Sequence, residues 1–357
     1  MARSSDTGNG SPLLSTDPHD TAEVAGLVYV TDREPGLRRR RRGTGFSYHD
    51  PDGEAISDAD RDRVESLVIP PAWSDVWICA CPSGHLQATG RDEQGRKQYR
   101  YHARWAEVRS RVKFNRMIPF GGALPAVRHR AEHDLGKRDL GRDKVLALAV
   151  RLLDQTLIRI GNPEYAEANA SYGLTTLRDR HVDFDGSEVR FSFVGKSGKE
   201  QEVALRDKRL ARLVKACRDI PGYTLFQYYT DSGKAAIGSG DVNAWLKETT
   251  GEDFTAKDFR TWGGTVLAAK ALRARGEAED EATADRYCAD VVKEVAEGLG
   301  NTVAVSRKYY VHPDIAAAYC DGMLLPAMKR RNAGNTPAGL EPEEAAVLAV
   351  LRDRLGD

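Results

Sequence analysis

Cysteine is scarce: the 357-residue chain holds five, an odd number scattered along its length. That pattern excludes a disulfide framework and fits a reducing compartment. Long apolar runs are missing as well. The longest aliphatic stretch, Val145 to Val150, is far shorter than the ~20 residues of a membrane-spanning helix. The polar N-terminus lacks the apolar segment of a signal peptide. Net charge is absent too, since 53 Lys and Arg balance 53 Asp and Glu, so bulk charge gives no pull toward nucleic acid. No internal repeat is visible. What is left is a globular composition, 41% hydrophobic and 30% charged, long enough for about two domains. The expectation is a soluble cytoplasmic protein with no membrane partner.

Charge is present but segregated. From Arg91 to Lys144 there are 15 Lys and Arg against 7 Asp and Glu, whereas Glu277 to Glu297 holds 8 acids against 2 bases. Such segregation can give a neutral protein one basic face.

The pattern predicts an α+β fold. Residues 1–21, rich in Ser, Asp, Thr, Gly and Pro, read as a disordered tail. Residues 22–105 read as a small β-rich domain, and residues 106–357 as a mostly helical domain with a short β-sheet. Within the first, Leu27 to Val30 reads as a strand and Ser57 as the cap of a helix reaching Leu67. A hairpin is expected around Pro82-Ser83-Gly84. Arg38 to Arg42 is a five-arginine run, read either as a phosphate-binding arm or as a solvated loop. In Gly95 to His102 the alternation puts Gln98, Arg100 and His102 on one face, Tyr99 and Tyr101 on the other. Further on, Asp143 to Ile158 has helical periodicity, and Val189, Phe191 and Phe193 alternate as a strand after an Asp185-Gly186 turn. Helices are expected over 207–218, 241–249, 256–274, 279–298, 314–325 and 342–355.

Three motifs resemble sites without meeting their requirements. His129-Arg130-Ala131-Glu132-His133 has the spacing of a zinc peptidase, but its surroundings are basic and no third ligand lies nearby. Gly195-Lys196-Ser197 resembles the end of a phosphate loop, yet Arg190 stands where the first glycine belongs, and a turn follows where that loop needs a helix. Cys79 and Cys81 with His85 lack a second ligand pair. No metal and no cofactor is expected.

A different set converges on Gly300 to Pro313, where Tyr309 and Tyr310 sit among Arg307 and Lys308. A tyrosine nucleophile, with an ordinary pKa near ~10, needs cationic neighbours and a leaving group that can be protonated. Transesterification at a phosphodiester also needs cations on the non-bridging oxygens and a fixed line of attack. Arg159 and Arg260 suit the clamp, because the planar guanidinium grips two phosphate oxygens and stays charged. Lys196 suits the acid. Asn301 can add a hydrogen bond.

In order, Ile158-Arg159-Ile160-Gly161-Asn162, Tyr172 to Leu177, Phe193-Val194-Gly195-Lys196, Lys257-Asp258-Phe259-Arg260-Thr261 and Ser306 to Tyr310 resemble the motifs of type IB DNA topoisomerases, in the compact poxvirus-like form found in bacteria. Gly95 to Tyr101 resembles that family's N-terminal DNA-contacting strand. The resemblance spans roughly residues 25 to 330. It implies a C-shaped clamp on double-stranded DNA, working as a monomer associated with the nucleoid. It also implies a 3′-phosphotyrosyl bond on Tyr310, strand rotation and religation, without ATP or metal. By the same resemblance Lys196 with Arg159 assists the leaving group, and Arg260 with Asn301 holds the phosphate. Gln98, Tyr99, Tyr101, Tyr165 and Lys257 match DNA-contacting positions. Many relatives have histidine where this chain has Asn301, which can donate a hydrogen bond but cannot become cationic. The nine-residue spacing from Asn301 selects Tyr310 over Tyr309. The alternatives are a tyrosine recombinase, although Asp258 stands where such enzymes usually carry histidine, and an inactive DNA-binding clamp.

Overall fold

Helices and small antiparallel sheets build the protein, divided between two units, Met1–Arg116 and Met117–Asp357. The computed structural model describes residues 17–332 and 336–355. Residues 1–16 of the expected tail lie outside the described residues, while its last residues enter helix α1 (Pro18–Val24). Asp17 caps this helix by accepting the His19 N–H at 2.7 Å, and Ala22 packs with Ala25, Leu27 and Trp105.

The first unit continues with β1 (Leu37–Arg42), β2 (Gly45–His49), α2 (Asp58–Ser66), β3 (Ser74–Ile78), β4 (Leu86–Arg91), β5 (Lys97–Tyr101) and α3 (Ala103–Asn115). The strands form one antiparallel sheet in the order β2-β1-β3-β4-β5. Strand alternation makes β3 the centre of two small cores. Val76 and Ile78 join Leu37, Tyr48, Ala88 and Val64 of α2, whereas Trp77 joins Val30, Cys79 and Leu86. Ser57 caps α2 as expected.

Two readings of this unit differ from the sequence expectation. The arginine run is a strand, not a loop, because Arg39 is drawn into the fold. Its guanidinium donates to the carbonyls of Ile69, Pro70 and Trp73 at 3.1, 3.0 and 2.7 Å and lies 4.2 Å above the Phe46 ring. Leu27 to Val30 is not a strand of the sheet, since only Val28 forms a bridge, to Gly84. The Val30 N–H instead donates to the His85 ring nitrogen at 3.1 Å.

The second unit comprises α4 (Met117–Leu135), α5 (Arg142–Thr156), α6 (Pro163–Asn169), β6 (Val182–Asp185), β7 (Glu188–Val194), β8 (Glu200–Arg206), α7 (Lys208–Arg218), β9 (Gln227–Thr230), β10 (Gly233–Ala236), α8 (Ser239–Thr250), α9 (Ala256–Arg275), α10 (Glu281–Gly298), α11 (Val303–Tyr309), α12 (Pro313–Cys320), α13 (Leu324–Asn332) and α14 (Pro342–Leu355). Helix α5 is apolar and wholly buried on every side from Val145 to Val150, as the middle of a central helix must be. It packs with α9, and α4, α8 and α14 surround the pair. Strands β6, β7 and β8 form a three-stranded antiparallel sheet, with Val189, Phe191 and Phe193 turned inward. No helix among the described residues is long and apolar enough to cross a membrane.

A buried ionic knot fastens α14. Arg128 of α4 donates to Asp154 of α5 through two bonds of 2.9 Å and to Glu344 of α14 at 2.6 and 2.8 Å. Trp262 of α9 donates to the same Glu344 at 3.2 Å. The helix expected over 314–325 is broken into α12 and α13. The N–H groups of Gly322 and Met323 turn back onto the carbonyls of Tyr319 and Ala318 at 3.0 and 2.8 Å, which closes the helix end.

Candidate active site

Helix α9 organises the site. Arg260, Thr261, Gly264 and Thr265 lie on one face, at the spacing that aligns successive helical turns. The Thr261 hydroxyl donates to the Tyr309 carbonyl at 3.4 Å, and the Thr265 hydroxyl, which donates to the Thr261 carbonyl at 2.7 Å, lies 3.4 Å from the Tyr310 carbonyl. The His312 N–H donates to the Thr265 hydroxyl at 3.2 Å. At Gly264 a side chain is impossible without movement, because a Cβ there would lie 2.6 Å from the Tyr310 carbonyl oxygen. Two adjacent glycines inside a helix are unfavourable by about 1 kcal/mol each. That anomaly at Gly263-Gly264 was a sequence signal for close approach, and sequence reasoning missed it.

Arg260 projects from the same face and is 5% exposed. It donates to the carbonyls of Leu157, at the end of α5, and Leu299, at the end of α10, the latter at 2.8 Å. Its guanidinium carbon lies 5.1 Å from the centre of the Tyr310 ring. Burial, and then the charge of nearby Arg159, push the Arg260 guanidinium down to about 10, against the opposing influence of Tyr310.

Arg159 follows α5 in an extended segment crossed by residues 172–177. The N–H groups of Leu174 and Thr175 donate to the carbonyls of Arg159 and Ile160, each at 2.7 Å. Burial also lowers the Arg159 guanidinium below its ordinary value. Among the described residues neither Arg159 nor Arg260 has a carboxylate partner. Two part-desolvated cations side by side are expensive unless an anion joins them.

Asn301 is placed by the way α10 ends. Gly300 has φ of +61°, and the N–H groups of Gly300 and Asn301 close onto the carbonyls of Glu297 and Ala296 at 2.9 and 2.8 Å. This left-handed stop turns the Asn301 side chain toward Arg159, which donates to its Oδ1. The Asn301 Nδ2 is buried and has no acceptor among the described residues. Leaving such a donor unsatisfied costs about 1–3 kcal/mol.

Lys196 is exposed, in the turn between β7 and β8. Neighbouring residues tie that turn to the site. Lys199 donates to the Asn301 carbonyl at 3.3 Å, and the Gln201 amide packs where a Gly300 Cβ would stand. Sequence reasoning passed over both Lys199 and Gln201. The structure thus pairs Arg159 with Asn301 and Arg260 with Tyr310 through direct contacts, sets the two pairs near enough for their charges to interact, and carries Lys196 on the adjoining hairpin.

The remaining expected residues are surface positions. Tyr165 of α6 is 61% exposed, and Lys257 is exposed one turn before Arg260. In the first unit, Tyr99 and Tyr101 are both 47% exposed and stack at 5.9 Å. Gln98 is half-buried and donates to Asp92 at 2.9 Å. His102 does not extend β5, because its ring accepts the Arg104 N–H and caps α3. Asp258 accepts the N–H and hydroxyl of Thr255 at 2.8 and 3.0 Å, so its carboxylate is used at the start of α9.

Among the described residues no cluster of His, Cys, Asp or Glu is arranged to hold a metal. Within the His129–His133 motif, Arg130 stacks on Trp245 at 4.5 Å and Glu132 pairs with Arg209 at 2.5 Å. His85, beside Cys79 and Cys81, accepts from Val30 and stacks on Tyr29 at 4.3 Å.

A phenol beside two guanidiniums and an unsatisfied amide donor is suited to attack on a phosphodiester. Residues 102–322 match the family model of the eukaryotic DNA topoisomerase I catalytic core, and residues 45–92 match that of the bacterial DNA topoisomerase IB N-terminal domain. The DNA topoisomerase 1B of Acanthamoeba polyphaga mimivirus is 31% identical over 285 residues, covering 77% of this chain and 85% of the relative. The DNA topoisomerase I of monkeypox virus and the DNA topoisomerase 1B of vaccinia virus (strain Copenhagen) are each 23% identical over 226 residues, covering 62% of this chain and 68% of the relative. With a core match over more than half its length, the chain belongs to the type IB DNA topoisomerases, a family of isomerases.

Proposed function

We propose that the protein relaxes supercoiled duplex DNA through a covalent intermediate on Tyr310. The observation that carries this reading is the pair of desolvated arginines, neither with a carboxylate partner among the described residues, of which Arg159 bonds Asn301 and Arg260 lies against the Tyr310 ring. A scissile phosphate supplies the missing anion. Tyr310 Oη gives its proton to solvent and attacks phosphorus as Arg159 and Arg260 neutralise the non-bridging oxygens and the Asn301 amide donates to one of them. The bond from phosphorus to the 5′ oxygen breaks, and Lys196 gives that oxygen a proton. The 3′ phosphate stays on Tyr310 while the free strand rotates. The 5′ hydroxyl then attacks the phosphotyrosyl bond and releases the tyrosine. Phosphodiester energy is kept in that bond, so resealing needs no ATP, and the guanidiniums fill the role of charge neutralisation without a metal.

In this reading Met117–Asp357 is the catalytic unit. Met1–Arg116 contacts duplex DNA through Gln98, Tyr99 and Tyr101, with Tyr165 and Lys257 as further contacts, and the chain closes on DNA as a C-shaped monomeric clamp. The test is incubation with negatively supercoiled plasmid in EDTA without ATP. Relaxation, with a protein–DNA adduct trapped by detergent on Tyr310, is the expected result. Strand exchange between two sites points to a recombinase instead, and a mobility shift without relaxation to a binding module.

A further inference from the structure

Strand β1 holds five consecutive arginines, and no carboxylate lies between Leu37 and His49. Strand geometry divides them, with Arg39 and Arg41 on one face and Arg38, Arg40 and Arg42 on the other. Arg39 is built into the fold through its three carbonyl contacts. Arg38, Arg40 and Arg42 are exposed, and among the described residues none has an ion-pair partner. Their partners across β2 are His49, Ser47 and Gly45, so no acid stands opposite them on that strand. Successive guanidiniums start about 6.8 Å apart along the strand, and like charges so placed repel.

The register links this ladder to β5. Arg38 stands opposite Trp77, Trp77 opposite Thr89, and Thr89 opposite Tyr99. Arg38 and Tyr99 therefore stand on the same sheet face, three strand spacings or about 14 Å apart. Between them is a cavity of about 230 Å³ whose lining includes Arg38, Arg91, Lys97, Asp32 and Asp75. Its two acids are already engaged, Asp32 with Lys97 and Asp75 with Arg91 at 3.7 Å. Arg38 is the cation in that lining without a carboxylate among the described residues.

We infer that Arg38, Arg40 and Arg42 form a phosphate-binding ladder for duplex DNA, extending across the sheet the contact surface proposed at Tyr99 and Tyr101. The inference rests on the DNA-relaxing reading above. A row of planar forks with no acid between them matches a regularly charged backbone and reads no bases. The ladder supplies affinity that is independent of sequence and sensitive to salt.

The test uses the full-length protein carrying Tyr310→Phe, a short labelled duplex and a salt series. Replacing Arg38, Arg40 and Arg42 with Ala is expected to reduce the slope of log affinity against log salt by roughly two to three, ~0.9 per phosphate contact. Replacing all three with Lys keeps the slope. The Arg40→Ala, Arg42→Ala double variant leaves the cavity intact and loses about two-thirds as much, which covers a triple variant that folds poorly. An unchanged slope in the double and triple Ala variants overturns the ladder even if relaxation is normal. An equal loss in the Lys variant also overturns it, since shape rather than charge is then responsible. A loss confined to double-stranded RNA, with DNA binding intact, assigns the ladder to another partner. Failure of the unsubstituted protein to relax plasmid is the separate result that removes the DNA-relaxing reading itself.

Discussion

Arg159 and Asn301, separated by 142 positions, meet through a hydrogen bond from guanidinium to side-chain carbonyl. The bond leaves the Asn301 amide as a donor without an acceptor among the described residues. One side chain therefore does two things: it holds an arginine in place and offers an N–H to an incoming anion. A neutral histidine can do both, with one ring nitrogen accepting and the other donating.

Asn301→Ala is expected to slow single-turnover cleavage by roughly 10²–10³, the usual loss for one such donor. Because Arg159 loses its acceptor at the same time, the double variant with Arg159→Ala should lose less than the sum of the two single losses. Asn301→His should keep much of the activity at neutral pH. Protonation removes its acceptor and adds a third positive charge, so its rate should fall below about pH 6.5, where an unperturbed imidazole titrates. Additive single losses, or a flat profile for the histidine variant, would show that the two side chains act separately.

Tyr310→Phe should abolish the covalent adduct and leave duplex binding nearly unchanged, because one oxygen is removed from a ring that keeps its place over Arg260. Tyr309 is 39% exposed and lies beside Lys308, so Tyr309→Phe should remain active. Adduct formation by Tyr310→Phe but not by Tyr309→Phe would move the nucleophile by one residue.

Much of this arrangement was legible in the sequence where one physical signal dominates. Helix α5 announces itself by helical periodicity, β7 by strict alternation, and α2 by the Ser57 cap. Signals failed where tertiary contact overrides local preference. Val303, Val305 and Thr302 are β-branched, so α11 is locally unfavoured, yet Thr302 caps it by accepting the Val305 N–H at 3.3 Å and Ser306 is fully buried. The arginine run gives no strand signal because nothing in it reveals that Arg39 finds three carbonyls thirty or more positions further on. At the site, the residue types and the spacing of Asn301 and Tyr310 were readable. The bond from Arg159 to Asn301 and the hairpin contacts of Lys199 and Gln201 were not, since each depends on how α10 stops.

The close approach at Gly264 gives a sharp steric prediction. Gly264→Ala places a methyl group 2.6 Å from the Tyr310 carbonyl oxygen, and backbone cannot yield as a side-chain tip can. Cleavage should fall at least tenfold, with a lower melting temperature. Gly240→Ala in α8 meets nothing within 4 Å and should leave both unchanged, or slightly raise stability. A fully active Gly264→Ala protein would mean that the Tyr310 segment is free to shift along α9.

The ionic knot at α14 sets a pH dependence of stability. Burial alone would raise the Glu344 carboxyl, but the hydrogen bonds and charge of Arg128 outweigh it and hold the group below its ordinary value of 4.5. The folded pKa is depressed, so this stability is complete above the unfolded value and is lost as pH falls through the folded one. Glu344→Gln leaves Arg128 short of a charge partner and should cost about 3 kcal/mol at pH 7. Its unfolding free energy should then change less than that of the wild type between pH 5 and 3, as measured by urea denaturation. Parallel curves for the two proteins would assign the acid sensitivity elsewhere.

Lys196 offers the most direct test of how the leaving oxygen acquires its proton. The side chain is exposed on a turn that Gln201 and Lys199 dock against Gly300 and Asn301, so it is free to reach a bound strand without disturbing the Arg159–Asn301 and Arg260–Tyr310 pairs. If it is the proton donor, Lys196→Ala should slow cleavage by about 10²–10⁴. A substrate with sulfur at the bridging 5′ position departs as a thiolate and needs no proton, so it should restore most of that rate in the Ala variant. The same substitution should not rescue Arg260→Ala, whose deficit is charge on the non-bridging oxygens. Equal rescue of both variants would mean that sulfur merely makes the bond easier to break. No rescue of either would reassign Lys196 from proton donor to phosphate contact, and the proton would then have to come from Arg159, the other cation assigned to the leaving group.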